Sequence, residues 1–249
     1  MTETLFLLKG KTAFISGGTR GIGLAIAIGM KEAGASVGIH GSKEDATRRI
    51  ADEHGFSFVF ADLKKREERE SMAADLLKKL EVMDILVNNA GFEIQKKISE
   101  AEETDLEDHF QVNTKSPYRL VQALLPLLRK SASPAVINVT SIHQQVAVRN
   151  NGAYCMAKAA LEMFTKVAAL EFGPLGIRVN NLAPGAIETD MNRELIRKMD
   201  FPSWIPLGRV GKTEDLVGPA IFLASGASRY ITGATLYVDG GYKENLLRY

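Results

Sequence analysis

Thr12-Ala13-Phe14-Ile15-Ser16 runs without a break into Gly17-Gly18-Thr19-Arg20-Gly21-Ile22-Gly23, and an apolar helical pattern begins at once. The first five residues read as a buried strand, and the glycines read as a tight turn that hands the chain to a helix. Glycine serves such a turn in three ways: it allows the sharp bend, it lets backbone approach a phosphate, and it lets helix pack closely on strand. The first N–H groups of the helix and the positive end of its dipole then face an anion. A strand-to-helix turn also occurs without a ligand. Its position after the first strand and before an apolar helix favours a dinucleotide.

Outward from this turn, short apolar runs alternate with longer helical patterns. Further strands are expected at 36–40, 57–60, 85–88, 135–140, 178–182 and 235–238, and helices near 22–33, 43–53, 66–80, 102–130, 153–172 and 213–224. Most of these strands are apolar on both faces, which predicts a parallel sheet covered on both sides. The expected fold is a Rossmann-type, doubly wound α/β sheet of seven strands, with residues 1–249 as one domain. The run Lys64-Lys65-Arg66-Glu67-Glu68-Arg69-Glu70 reads as the solvated face of a helix.

Composition sets the outer limits. Among 249 residues, 45% are apolar and 24% charged, which excludes disorder. Lys plus Arg number 31 against 30 Asp plus Glu, a formal charge of +1, so no nucleic-acid or membrane partner is expected. Cys155 is the single cysteine, so neither a disulfide framework nor a Cys-rich metal site is expected. No metal is assigned. Leu5-Phe6-Leu7-Leu8 is too short and follows an acid, so it fails as a signal peptide, and no run approaches the ~18 apolar residues of a membrane span. A cytoplasmic location is expected.

The chemistry-bearing residues lie further along. Tyr154 and Lys158 are four apart in Tyr154-Cys155-Met156-Ala157-Lys158, hence on one helix face. Tyrosine titrates near 10, and making it a base at pH 7 takes about 4 kcal/mol for three pK units. A neighbouring ammonium and a positive nicotinamide ring would supply it. Ser141 closes the strand 135–140, thirteen residues before Tyr154. Asn88-Asn89-Ala90-Gly91 follows the fourth strand, Asn113 lies on the long helix, and Pro184-Gly185-Ala186-Ile187-Glu188-Thr189 follows the sixth strand.

From about Gly10 to Gly241 the chain resembles the short-chain dehydrogenase/reductase family, in which these signatures occur in this order. The family's usual first residue is Thr where this chain has Ser16, which keeps the hydroxyl. The resemblance implies Tyr154 as proton donor and acceptor, and Lys158 lowering its pKa and holding the nicotinamide ribose. It implies Ser141 bonding the reacting oxygen and Asn113 anchoring a water. For the nucleotide it implies Gly17, Thr19, Gly21, Ile22 and Gly23 at the pyrophosphate, Arg20 where NADP-using members often carry a cation, and His40 and Ser42 at the adenosine ribose. Asp62 and Leu63 are implied at the adenine, although an Asp at a strand end is also a common helix N-cap. Asn89, Ala90 and Gly91 are implied along the cofactor, and Pro184, Gly185, Ile187 and Thr189 at the carboxamide. No acid ends the second strand before Glu44, and Arg20 and Lys43 are cations, so NADP is preferred, with NAD as the alternative.

Substrate contacts are read from the polar rim: Glu93, His143, Gln145, Asn150 and Ala186, with Gln144, Asn151 and Glu188 nearby. A rim built to pair several hydroxyls disfavours apolar ketones. The segments around Ser141 and Pro184 resemble the glucose 1-dehydrogenase branch, which implies a sugar, sugar acid or polyol. The alternative enzyme is a 3-oxoacyl-[acyl-carrier-protein] reductase, docking an acidic carrier through Arg119, Arg129 and Lys130. A catalytically silent nucleotide sensor is the alternative of another class. Residues 190–207, with Met191, Met199, Phe201, Trp204 and Ile205, are expected to form a substrate lid. The tail through Leu246, Leu247 and Tyr249 is expected to join long helices in a homotetramer of D2 symmetry. Cys155 is expected to be a small buried hydrophobe.

Overall fold

Ala13 and Ile15 of β1 (Thr12–Ser16) face one side of the sheet and Phe14 the other, the two-residue period of extended chain. Both sides are covered, so the strand shows no polar alternation. The structure is a computed structural model that describes residues 5–189, 192–198 and 200–246. After β1 come α1 (Gly21–Glu32), β2 (Ser36–Gly41), α2 (Glu44–His54), β3 (Ser57–Phe60), α3 (Arg66–Lys79) and β4 (Ile85–Asn88). The second half holds α4 (Glu103–Phe110), α5 (Ser116–Leu128), β5 (Ala135–Val139), α6 (Gly152–Phe172) and β6 (Arg178–Pro184). It ends with β7 (Ile187–Glu188), α7 (Arg193–Lys198), α8 (Phe201–Trp204), β8 (Gly211–Lys212), α9 (Val217–Ala224), β9 (Thr235–Val238) and α10 (Tyr242–Leu246).

Among the described residues the central sheet has seven parallel strands in the order β3-β2-β1-β4-β5-β6-β9, the expected Rossmann-type fold. The order reverses between β1 and β4, which opens a crevice at the carboxyl ends of the strands. On one face Ile26 and Met30 of α1 and Ala220 and Leu223 of α9 pack on Ile15, Ile39 and Ile137. On the other, Met72 of α3, Leu120 and Leu124 of α5 and Ala168 of α6 pack on Phe14, Leu86 and Val136.

The helix expected over 102–130 is interrupted. Between α4 and α5 the backbone widens to a π-helical turn at Gln111–Lys115, in which Ser116 N–H reaches the Gln111 carbonyl five residues back. The reason is in the sequence: residue 117 is proline, so it has no N–H to return to the Asn113 carbonyl as an α-helix requires. Cys155 also departs from expectation. It is half-buried, on a stretch of α6 where its neighbour Met156 is exposed.

The short pair β7 and β8, and α7, α8 and α10, were not anticipated. Of the expected lid, Phe201 stacks edge-on against Tyr242 of α10 and Ile205 is buried, while Asp190, Met191 and Met199 lie outside the described residues. Leu247 and Tyr249 lie outside them as well. Among the described residues no helix is long and apolar enough to cross a membrane.

Candidate active site

The glycine turn sits at the β1 side of the crevice. Gly17 takes a left-handed φ of 67°, and a Cβ there would lie 2.8 Å from Ala90 Cα. A Cβ on Gly23 would lie 2.2 Å from the Gly17 carbonyl oxygen, so helix and turn are in direct backbone contact. α1 carries no side-chain cap and no acid in its first turn, so its N-terminus keeps its positive character. This cradle fits a pyrophosphate. The Ser16 hydroxyl accepts the Asn89 and Ala90 N–H groups, both at 3.1 Å, and the Asn89 amide donates to the Ser16 and Gly17 carbonyls at 3.1 and 3.0 Å. The Asn89 side chain therefore ties β4 to the turn.

Two residues expected at the cofactor carry buried side chains. The His40 ring is inside: Nδ1 accepts the Gly17 N–H at 3.2 Å, which leaves Nε2 to donate to the Ala61 carbonyl at 3.0 Å. Burial holds its pKa below the ordinary value. The His40 side chain supports the turn from beneath. Leu63 is a core side chain packed with Met72 and Leu76. Asp62 accepts Lys64 N–H at 3.0 Å in a turn of its own.

The other expected contacts lie in the glycine turn and around the ends of β2 and β6. Arg20, Ser42 and Lys43 are exposed, and Thr19 packs beside Gly41 at the end of β2. Glu44, the nearest acid, is paired with Arg48 at 2.6 Å. Thr189 lies against Gly21, and Gly185 presses so closely on Asp239 that a Cβ would come within 2.5 Å. Pro184 ends β6, and Ile187 is buried in β7. Ile22 packs on the α1 face of the core.

The catalytic candidates meet across the crevice. Lys158 donates to the Val139 carbonyl at 2.9 Å, and its ammonium lies 5.6 Å from the centre of the Tyr154 ring. A Cβ on Gly91 would lie 3.5 Å from Asn113 Oδ1 and 3.9 Å from Lys158 Nζ, so these three groups adjoin. Ser141 is hydrogen-bonded to the Tyr154 phenol and accepts the His143 N–H at 3.1 Å. Asn113 grips the Phe92 backbone at both ends, accepting its N–H at 2.9 Å and donating to its carbonyl at 2.8 Å.

Burial raises the Tyr154 pKa above the ordinary tyrosine value and the Glu93 carboxylate raises it further, while the bond with Ser141 opposes them. Burial also pushes Lys158 down to about 8, against the pull of Glu93. Lowering the phenol therefore needs positive charge beyond Lys158.

Behind this group lies a polar row that sequence reading missed. Asn88 donates to Asn138 at 2.7 Å, Asn138 to Thr165 at 2.7 Å, Thr165 to Asn181 at 2.6 Å, and Asn181 to Thr235 at 3.1 Å. Asn88, Asn138, Asn181 and Thr235 stand in register on neighbouring strands, so a single row crosses β4, β5, β6 and β9. Thr165 belongs to α6 and docks the helix of Tyr154 and Lys158 onto the sheet. Four polar residues standing in register on neighbouring strands were the available signal.

The rim is only partly as expected. Glu93 accepts the Asn151 amide at 2.5 Å, at the start of α6 and three residues before Tyr154. Ala186 packs against the cluster of Ile142, Ile205 and Tyr242. Gln145 turns away and donates to Glu162 at 3.1 Å, two turns beyond Tyr154, whereas Gln144 is buried and reaches the Tyr237 hydroxyl at 3.2 Å. Asn150 is exposed with a left-handed φ of 64°, and it is Asn151 that faces inward. His143 is half-buried, and its Nδ1 lies 3.0 Å from the Val146 carbonyl of its own loop.

A family model described as enoyl-(acyl carrier protein) reductase matches residues 17–243. The chain belongs to the short-chain dehydrogenase/reductase family. It is an oxidoreductase of CH–OH and keto groups. A 3-oxoacyl-[acyl-carrier-protein] reductase of Chlamydia trachomatis is 36% identical over 243 residues, covering 94% of this chain and 98% of the relative. Gluconate 5-dehydrogenase of Gluconobacter oxydans is 31% identical over 251 residues, covering 97% and 98%. A gluconate 5-dehydrogenase of Burkholderia cenocepacia, solved with NADP and tartrate, superposes with a TM-score of 0.90 at 33% identity, covering 98% of this chain and 99% of that one. These family members support binding of NAD(P) by this fold.

Proposed function

We propose that the protein interconverts a secondary alcohol and a ketone on a sugar, sugar acid or polyol, with NADP preferred over NAD. The observation that carries the substrate class is the polar mouth: Glu93 and Asn151 are bonded to each other at the N-terminus of the helix that bears Tyr154 and Lys158. An apolar ketone would leave the buried Asn151 Oδ1, which has no hydrogen-bond partner among the described residues, unsatisfied. The cofactor preference rests on exposed Arg20, Ser42 and Lys43, with Glu44 turned to Arg48. The nicotinamide, when bound, supplies the hydride chemistry and a positive ring charge. Tyr154 Oη exchanges the substrate proton, and Ser141 stabilises charge on the reacting oxygen. Lys158, anchored to Val139, keeps an ammonium beneath the phenol at neutral pH. Residues 190–207 act as the lid. Asp62 and the backbone of Asn89, Ala90 and Gly91 line the nucleotide path. The protein works in the cytoplasm as a homotetramer, for which α6 offers an apolar stripe of Met156, Met163, Val167 and Leu170, the last 79% exposed.

A second reading, reduction of a 3-oxoacyl thioester on an acidic carrier protein, is favoured by one feature. Arg66, Arg69, Lys115 and Arg119, against Glu70 alone, line a cavity of about 490 Å³ between α3 and α5. The deciding experiment screens purified protein with NADP and NAD against sugars, sugar acids and polyols in oxidation and acetoacetyl thioesters in reduction. Efficient thioester reduction without polyol or sugar oxidation would overturn the first reading.

A further inference from the structure

The segment after Gly91 is held harder than a surface loop needs. Asn113 fixes both polar groups of the Phe92 backbone. His109, buried on α4, accepts the Ile94 N–H on Nε2 at 3.1 Å, and its Nδ1 lies on the Asp105 carbonyl. Its ring also packs on Phe92 at 4.9 Å and meets Tyr154 edge-on at 6.5 Å. Lys64 covers the outer face of the Phe92 ring at 4.1 Å. Glu93 lies between the two pinned residues, and the Asn151 amide holds its carboxylate at the head of α6. Asn151 is itself buried, and its Oδ1 has no hydrogen-bond partner among the described residues.

We infer that Glu93, held in place by Asn151 and by the backbone that His109 anchors, selects substrates carrying hydroxyl or ammonium donors near the reacting carbon and turns away those carrying a carboxylate there. This inference rests on the polyhydroxylated-substrate reading and narrows it to neutral and cationic members. A carboxylate acceptor at the mouth can pair two or more donors. It meets an incoming carboxylate with like charge from an exposed position beside the buried Tyr154 and Lys158. It also works against the phenolate that alcohol oxidation needs, since it favours the protonated phenol. A donor-bearing substrate offsets that charge when it binds, and an acid adds to it.

The test uses threitol, threonate and 1-amino-1-deoxythreitol, which differ only in one terminal group, neutral, anionic or cationic. In this four-carbon series both secondary carbons lie within two bonds of that group. Each is measured as a substrate and as an inhibitor of whichever polyol or sugar the protein turns over best. In the native protein threonate is expected to bind worse than threitol by about tenfold, the lower range for Coulomb effects near a protein surface, and the aminopolyol at least as well as threitol. Glu93→Gln should bring all three within about threefold of one another. The same substitution should move the acidic limb of the oxidation pH profile to lower pH, because one group raising Tyr154 is gone while Lys158, Ser141, Cys155 and His109 still face it. Threonate binding as well as threitol in the native protein, or an unchanged order in Glu93→Gln, overturns the inference and leaves the polyhydroxylated reading standing. Turnover of thioesters with none of any sugar or polyol removes both.

Discussion

Replacing Ser16 by alanine isolates what the first strand contributes to the site. The Ser16 hydroxyl is buried and accepts two backbone N–H groups at 3.1 Å, those of Asn89 and Ala90. Alanine leaves both donors without a partner, and each orphaned buried donor costs about 1–3 kcal/mol. Asn89 and Ala90 are half-buried, so a small shift admits water, and the lower part of the range applies. The expected loss is about 2–3 kcal/mol of unfolding free energy. For a chain of this size that is about 4–12 °C in the thermal midpoint. Because Ala90 touches Gly17, the nucleotide dissociation constant should rise as well, as read by titration calorimetry with NADP. Ser16→Thr restores the acceptor and should recover most of both losses. A Ser16→Ala protein within 0.5 kcal/mol of native in urea titration, taken as roughly the noise of such measurements, would refute the reasoning, because the two N–H groups would then have another partner.

Three further outcomes are expected. Tyr154→Phe should abolish turnover with nucleotide affinity nearly intact, and steady-state rates within about tenfold of native would remove Tyr154 from its role. Arg20→Ala should weaken NADP more than NAD in calorimetry, while equal losses would assign Arg20 to the shared pyrophosphate. Burial holds the folded-state pKa of His40 below the ordinary 6.5, so the unfolded chain takes up the proton first. Stability should therefore fall as pH drops below 6.5, by at most about 1.4 kcal/mol per pH unit for one proton. Melting curves of His40→Gln should show a shallower acid slope than the native protein, and an equal slope would mean that other groups govern it.

Features set by local period or by one residue's chemistry were legible in the chain alone. The Thr12–Ser16 run, the glycine turn and the Tyr154/Lys158 spacing gave strand, cradle and shared helix face, because each depends on neighbours within a few residues. Proline at 117 was an equally local signal for the π turn, and it was overlooked because the apolar pattern continues through it. Tertiary structure alone decided which of two adjacent polar residues faces the site. Asn151 turns inward beside exposed Asn150, and Gln144 is buried while Gln145 reaches Glu162. One step along an irregular turn swings a side chain to the opposite side, and no periodicity governs such a turn. His40 and Glu93 show the same dependence at longer range. One is enclosed by the Gly17 and Ala61 backbones and the other is aimed by Asn113, His109 and Asn151, partners about 15–60 residues distant. Side chains in loops take their direction from whatever folding brings against them, and the sequence states that only once the sheet has assembled.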